Sequence, residues 1–174
     1  TSKFAICNNG KVQEVSAIDV GARLLALDED GAIVRIEEAG RKHAGWAGFS
    51  VALGEKIAEA NLRRMVSGMV DKLFAMLKPQ SITEDIKELL RLSPLTYKGE
   101  IDCVMFSGGV SEFIYNRTKT GFGDLGPWIA EEVHKRTGDL GLLVMEPNAR
   151  IRATVIGASQ YTVQVSGNTV FISP

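Results

Sequence analysis

From Lys3 to Ile36 the apolar positions fall in short runs separated by turn residues. Asn8-Asn9-Gly10 and Asp28-Glu29-Asp30-Gly31 supply residues that tolerate the positive backbone angles of tight hairpins. About four antiparallel strands are therefore predicted. Between Gly40 and Gly54 the residues His43, Gly45, Trp46 and Gly48 interrupt any period, so a connecting loop able to approach a ligand is predicted there.

Leu62, Met65, Val66, Met69, Val70, Leu73 and Leu77 then recur at intervals of three and four, which stacks them on one face of a helix ended by Pro79. Three methionines on this helix could make an adaptable partner groove, but their helical spacing favours core packing. Ser81 followed by Glu84 reads as a capping box ahead of Ile86, Leu89 and Leu90, with Pro94 as the stop.

Ile101-Asp102-Cys103-Val104-Met105-Phe106 is apolar on both pleat faces except at Asp102 and stops at Ser107-Gly108-Gly109, the pattern of a buried parallel strand before a turn. Gly126-Pro127 opens a helix through Trp128, Ile129 and Val133, since proline suits a first helical position. Leu142-Leu143-Val144 reads as another short parallel strand. A helix from Arg150 through Gly157-Ala158 and a hairpin of Val163–Val165 with Val170–Ile172 complete the reading. Strands, helices and strand-turn units in this order imply an α/β or α+β architecture without internal repeats.

With 174 residues, 45% of them hydrophobic and 24% charged, the chain has the composition of an ordinary folded protein. Lys plus Arg number 20 against 21 Asp plus Glu, a formal charge of -1, which argues against nucleic acid as a partner. No stretch is long and apolar enough to cross a bilayer, so no membrane partner is expected. Cys7 and Cys103 each lie in an apolar run and are expected to be buried reduced thiols, as in a cytoplasmic protein. The chain opens at Thr1-Ser2 and enters a strand at once, as a piece cut from a longer protein would.

The sharpest chemical feature is Phe106-Ser107-Gly108-Gly109-Val110-Ser111-Glu112. Two glycines after a buried strand let a ligand lie against the backbone, and exposed amides of such a turn can face a phosphate or a purine. A turn needing glycine only for its backbone angles accounts for the same residues about equally well. At Val20-Gly21-Ala22-Arg23 a solvated Arg23 is favoured over an anion contact. Asp19 lacks a visible partner carboxylate, and Asp28-Glu29-Asp30 reads as a polar hairpin tip, so no metal ligand is named. His43 and His134 belong to no metal or nucleophile spacing, and His134 falls late in its helix on the surface. Glu55, Lys56, Arg63 and Arg64 read as a solvated face, with Lys56 placed to reach a base or ribose.

Strand hairpins, a helical region and a strand ending in Ser-Gly-Gly resemble, in that order, the second half of the actin, heat-shock chaperone and sugar kinase superfamily. Within it Asp19–Leu25, Phe106–Glu112, Phe122–Pro127 and Ile151–Ala158 resemble the family of EutA-type reactivating factors for ethanolamine ammonia-lyase, in the right order across essentially the whole chain. The resemblance implies an α/β fold that is the second half of an actin-like, ribonuclease H-like ATPase. Its mixed sheet would be flanked by helices, with residues 1–45 and 100–174 as core and roughly 46–99 as an inserted, mainly helical subdomain. It further implies ATP or ADP with Mg2+ as cofactor, bound in the full-length protein by Ser107, Gly108 and Gly109 at the adenosine, with Lys56 nearby and Thr1 as the last remnant of a phosphate loop. Neither that loop's aspartate nor that of a second loop in the preceding half is in this chain, so phosphate and magnesium binding are expected to be crippled here. Ala22 also stands where a second glycine is expected.

The activity implied is chaperone-like: ATP binding would favour a conformation that opens the lyase, letting damaged cobalamin leave. No catalytic residue is assigned to these 174 residues, and the fragment alone is expected to be inactive. The expected partner is ethanolamine ammonia-lyase, with a homodimer left open, and the expected location is cytoplasmic, with association with a bacterial microcompartment left open. A sugar or acetate kinase fragment, or a nucleotide-free interaction module of the same fold, is the alternative, because fold alone does not give function.

Overall fold

The computed structural model describes residues 1–147. Strands β1 (Ser2–Asn8) and β2 (Lys11–Ile18) pair antiparallel around Asn9-Gly10, whose φ angles of 50° and 73° are those of a two-residue turn matched to strand twist. The register shifts between Ile6 and Cys7, and from Cys7 to Gln13 the hairpin stands clear of the core. Cys7 is consequently exposed and Cys103 half-buried; both are free thiols, and the expected burial of Cys7 is corrected by this protruding tip.

Ala22–Leu24 makes a single 3-10 turn into β3 (Leu25–Leu27), which pairs antiparallel with β4 (Ile33–Ile36). The acidic run is a turn, as its composition indicates: the Asp28 Oδ1 accepts from the Asp30 and Ala32 amides at 3.0 and 2.8 Å, and Gly31 has φ 80°. The four expected antiparallel strands are thus two separate hairpins.

Of the stretch from Gly40 to Gly54 expected to form a loop, 47–54 are turn and loop as expected, whereas residues 40–46 belong instead to helix α1 (Glu38–Trp46). Its buried face is made of Ala39, Gly40, His43 and Ala44, too small and polar to show as a hydrophobic period. The helix gains its place from close approach, since a Cβ on Gly40 would lie 2.5 Å from the Leu24 carbonyl oxygen.

Helix α2 (Glu59–Ala75) buries Leu62, Met65, Val66, Met69 and Val70, so the methionines at 65 and 69 are core, as their spacing requires. It packs on α5 (Gly126–Asp139), which presents Ile129, Ala130 and Val133. Arg136 closes the rim, donating to Asp71 at 2.8 Å and to the Ser67 hydroxyl at 3.1 Å. Helix α3 (Glu84–Lys87) is one turn, and the residue at its N-cap is Thr83; the capping box expected at Ser81 does not form because Pro79–Ser81 already make a 3-10 turn. Residues 89–91 then run beside the end of β2, with the Asp19 backbone amide donating to the Leu89 carbonyl and the Arg91 backbone amide to that of Ala17, both at 2.9 Å.

Strand β5 (Cys103–Met105) pairs parallel with β6 (Leu143–Met145), with α4 (Gly109–Ile114) and α5 in the crossover, as the two apolar runs predict. The Tyr115 hydroxyl fastens both strand ends, accepting from the Phe106 amide and donating to the Met145 carbonyl, each at 2.8 Å. Met105 is 54% exposed, so β5 is not covered on both faces by the described residues. Ile18, Leu25, Ile33, Met65, Met69, Leu89 and Leu125 form the centre of one mixed α/β core. Among the described residues no helix is long and apolar enough to cross a membrane. The helix expected from Arg150 and the final hairpin lie outside the described residues.

Candidate functional site

A cleft of about 1070 Å³ opens between β1, the 3-10 turn that follows Gly21, and the turn after β5. Thr1, Ser107, Gly108 and Gly109 all line it. Three contiguous residues of the Ser-Gly-Gly turn therefore share one space with a residue 106 positions earlier. Gly108 has φ 97°, a region costly for other residues, and its carbonyl accepts from the Ser111 hydroxyl at 2.6 Å and the Ser111 amide at 3.1 Å. A Cβ on either Gly108 or Gly109 would meet nothing within 4 Å. Backbone angle thus explains glycine at 108 but not at 109, and both glycines border open space.

Across the cleft lies Asp19, 7% exposed. Its Oδ1 accepts from the Thr1 hydroxyl at 2.7 Å and its Oδ2 from Arg91 Nε at 2.6 Å, with a second Arg91 contact through Nη2. Burial pushes this carboxyl up, but the hydrogen bonds from Arg91 and Thr1 and the Arg91 charge outweigh it, and Asp19 sits below the usual carboxylate range. Behind it His43, 2% exposed, donates from Nε2 to the Asp19 carbonyl at 3.1 Å. Burial lowers the His43 pKa to about 4, so the ring is neutral at physiological pH. The His43 ring meets Trp46 edge-on at 5.4 Å, and the Lys72 ammonium stands 4.8 Å from the Trp46 ring centroid while pairing with Asp85.

Sequence reasoning missed the partners of Asp19. Arg91 lies 72 positions away and no local pattern announces it; Thr1 is 18 positions away across the hairpin. Arg23 is 77% exposed with Asp124 at 3.9 Å, close to the favoured solvated reading. Lys56 does not line the cleft; it is exposed and bridges backbone with Ala32 beside the β3–β4 tip.

The backbone at Gly108 and Gly109 is open on its Cβ side, where an added Cβ would meet nothing within 4 Å, and among the described residues no group of three or more His, Cys, Asp or Glu could hold a metal ion.

A family model described as ethanolamine utilisation protein EutA matches residues 1–174. The chain is similar to the ethanolamine ammonia-lyase reactivase EutA of Salmonella typhimurium, 29% identical over 178 residues that cover 99% of this chain and 37% of that protein. It is also 27% identical over 180 residues to the reactivase of the same name from Escherichia coli, with the same coverage of 99% and 37%. The chain thus spans little more than a third of the length of these curated relatives. No solved structure matches it significantly.

Proposed function

The chain belongs to the ethanolamine utilisation protein EutA family, and on that premise we propose that it is the part of an ATP-dependent ethanolamine ammonia-lyase reactivase that holds the adenosine end of the nucleotide. The observation that carries this reading is the convergence of Thr1 with Ser107, Gly108 and Gly109 on one cleft, with unfilled space against both glycines. The parallel β5–β6 pair, with its glycine turn at the end of β5, supports an actin-like framework for the whole protein.

The roles of this chain's residues follow from position. Gly108 and Gly109 offer backbone to a flat base without side-chain obstruction, and Ser111 holds the turn in shape through the Gly108 carbonyl. The Asp19 carboxylate, fixed by Arg91, orients the Thr1 hydroxyl on the opposite wall. Bound nucleotide would supply the energy difference between two conformations, and it shifts their balance only by its differential affinity for them. The target is the lyase, whose damaged cobalamin leaves when the opened state is favoured. No step is assigned to magnesium, since among the described residues no group of three or more His, Cys, Asp or Glu could hold it.

The test is recovery of cyanocobalamin-inactivated ethanolamine ammonia-lyase by the full-length protein, with and without ATP. Wild type is expected to restore activity only with ATP. Gly109→Leu puts a side chain into the open space without a positive φ to strain, and is expected to abolish recovery while leaving the melting temperature within a few degrees. Absence of recovery by wild type overturns the reactivase reading; undiminished recovery by Gly109→Leu overturns the placement of adenosine at this turn.

A further inference from the structure

A second hollow, of about 370 Å³, opens between α1 and α2 and shares no lining residue with the cleft. Its volume lies within the range of about 300–1000 Å³ usual for small-ligand pockets. Trp46, 40% exposed, and Met65 give it apolar surface. Gly68 opens it further: a Cβ there would meet nothing within 4 Å, so no contact among the described residues requires glycine at a mid-helix position where it weakens α2.

Most of the charge around this hollow is already paired. Lys72 meets Asp85 at 2.7 Å and lies over the Trp46 ring, and Asp71 accepts from Arg136 at 2.8 Å. Arg64 differs. Its guanidinium donates to the Asn61 side-chain oxygen and meets no carboxylate among the described residues, which leaves one uncompensated positive charge beside the hollow. The Ser67 hydroxyl accepts from Arg136 and has no acceptor for its own proton among the described residues.

His43 adds a group of opposite character. The ring lines the hollow, is 2% exposed and spends its Nε2 proton on the Asp19 carbonyl, so in the neutral ring Nδ1 is an acceptor. No donor among the described residues reaches Nδ1. A buried acceptor left without a donor is costly, and the hollow is the space from which a donor can come.

We propose that this hollow is a ligand site separate from the nucleotide cleft, for a small carboxylate that also carries an N–H or O–H donor on a flat apolar body. The carboxylate takes the Arg64 guanidinium and the Ser67 hydroxyl, the donor serves His43 Nδ1, and the body lies against Trp46 and Met65. A neutral ligand leaves Arg64 unmatched, and a carboxylate without a donor leaves Nδ1 unmatched.

Isothermal titration of the full-length protein at neutral pH, without nucleotide, tests this with 4-hydroxybenzoate as the probe. It is expected to bind saturably at one site. Benzoate, which lacks the donor, and 4-hydroxybenzamide, which lacks the charge, should each bind about tenfold more weakly or worse. Arg64→Ala, at an exposed position, should weaken the probe about tenfold. Gly68→Leu fills the hollow from a site with free space and should abolish binding with no fall in melting temperature. Absence of saturable binding up to about 10 mM probe, equal affinity for the three compounds, or binding untouched by both substitutions overturns the proposal. Nucleotide is left out of the measurement, so the result stands whether or not the reactivase reading holds.

Discussion

His43 makes the acid stability of this chain predictable. The ring is 2% exposed, donates to the Asp19 carbonyl and has its pKa lowered by burial from 6.5 to about 4. In the unfolded chain the same group is protonated at the ordinary value, so between pH 6.5 and 4 the unfolded state binds the extra proton and stability falls as pH falls. The contribution is fully present above pH 6.5. The slope approaches 1.36 kcal/mol per pH unit, and about 2 kcal/mol is lost by pH 5 out of about 3 kcal/mol in all. With a urea dependence of about 2 kcal/mol/M, the midpoint should drop by about 1 M between pH 7.5 and pH 5. The carboxyls of Asp19 and Asp85, held below 3.8 by their hydrogen bonds and cationic partners, act only at lower pH and leave this window clear. Urea titrations of this chain across the window, for wild type and His43→Gln, measure the effect. Glutamine keeps a donor for the Asp19 carbonyl but cannot titrate, so its midpoint should stay level over the same range. A wild-type midpoint that does not move, or a His43→Gln midpoint that falls in parallel with it, refutes the assignment of a buried neutral imidazole.

Two helix glycines should respond oppositely to alanine. At Gly40 the added Cβ meets the Leu24 carbonyl at 2.5 Å, so Gly40→Ala should destabilise by about 1–3 kcal/mol despite better helix propensity. At Gly68 it meets nothing within 4 Å, so Gly68→Ala should stabilise by about 0.5–1 kcal/mol, and thermal melts of the pair check both signs. Met69, fully buried between α2 and the rest of the core, should cost about 2–5 kcal/mol when cut to alanine, read as a lower urea midpoint at unchanged slope.

Part of the cleft lining was legible in the sequence. Ser107-Gly108-Gly109 stood out because a glycine pair after an apolar run is a local signal, and the structure places it in the cleft with Thr1. The Asp19–Arg91 pair and the burial of His43 gave no such signal, because each depends on residues brought together over long sequence distances.

For the fold, the sequence by itself determined the elements whose cause is local. The Asn9-Gly10 turn, the Asp28 turn, the α2 face from Leu62 to Val70, the Pro127 start of α5 and the parallel pairing of the two apolar strands all follow from turn chemistry and periodicity. Tertiary structure decided where the cause is contact. Helix α1 exists where His43, Gly45 and Trp46 broke the pattern, because Gly40 can lie against the Leu24 carbonyl and His43 can donate to the Asp19 carbonyl. Cys7 is exposed because its apolar run extends past the core, and Asp19 is a held carboxylate only because residues 89–91 fold back along β2. Periodicity reports what a residue prefers, whereas burial and pairing depend on which distant residue arrives, and that is settled only when the chain closes on itself.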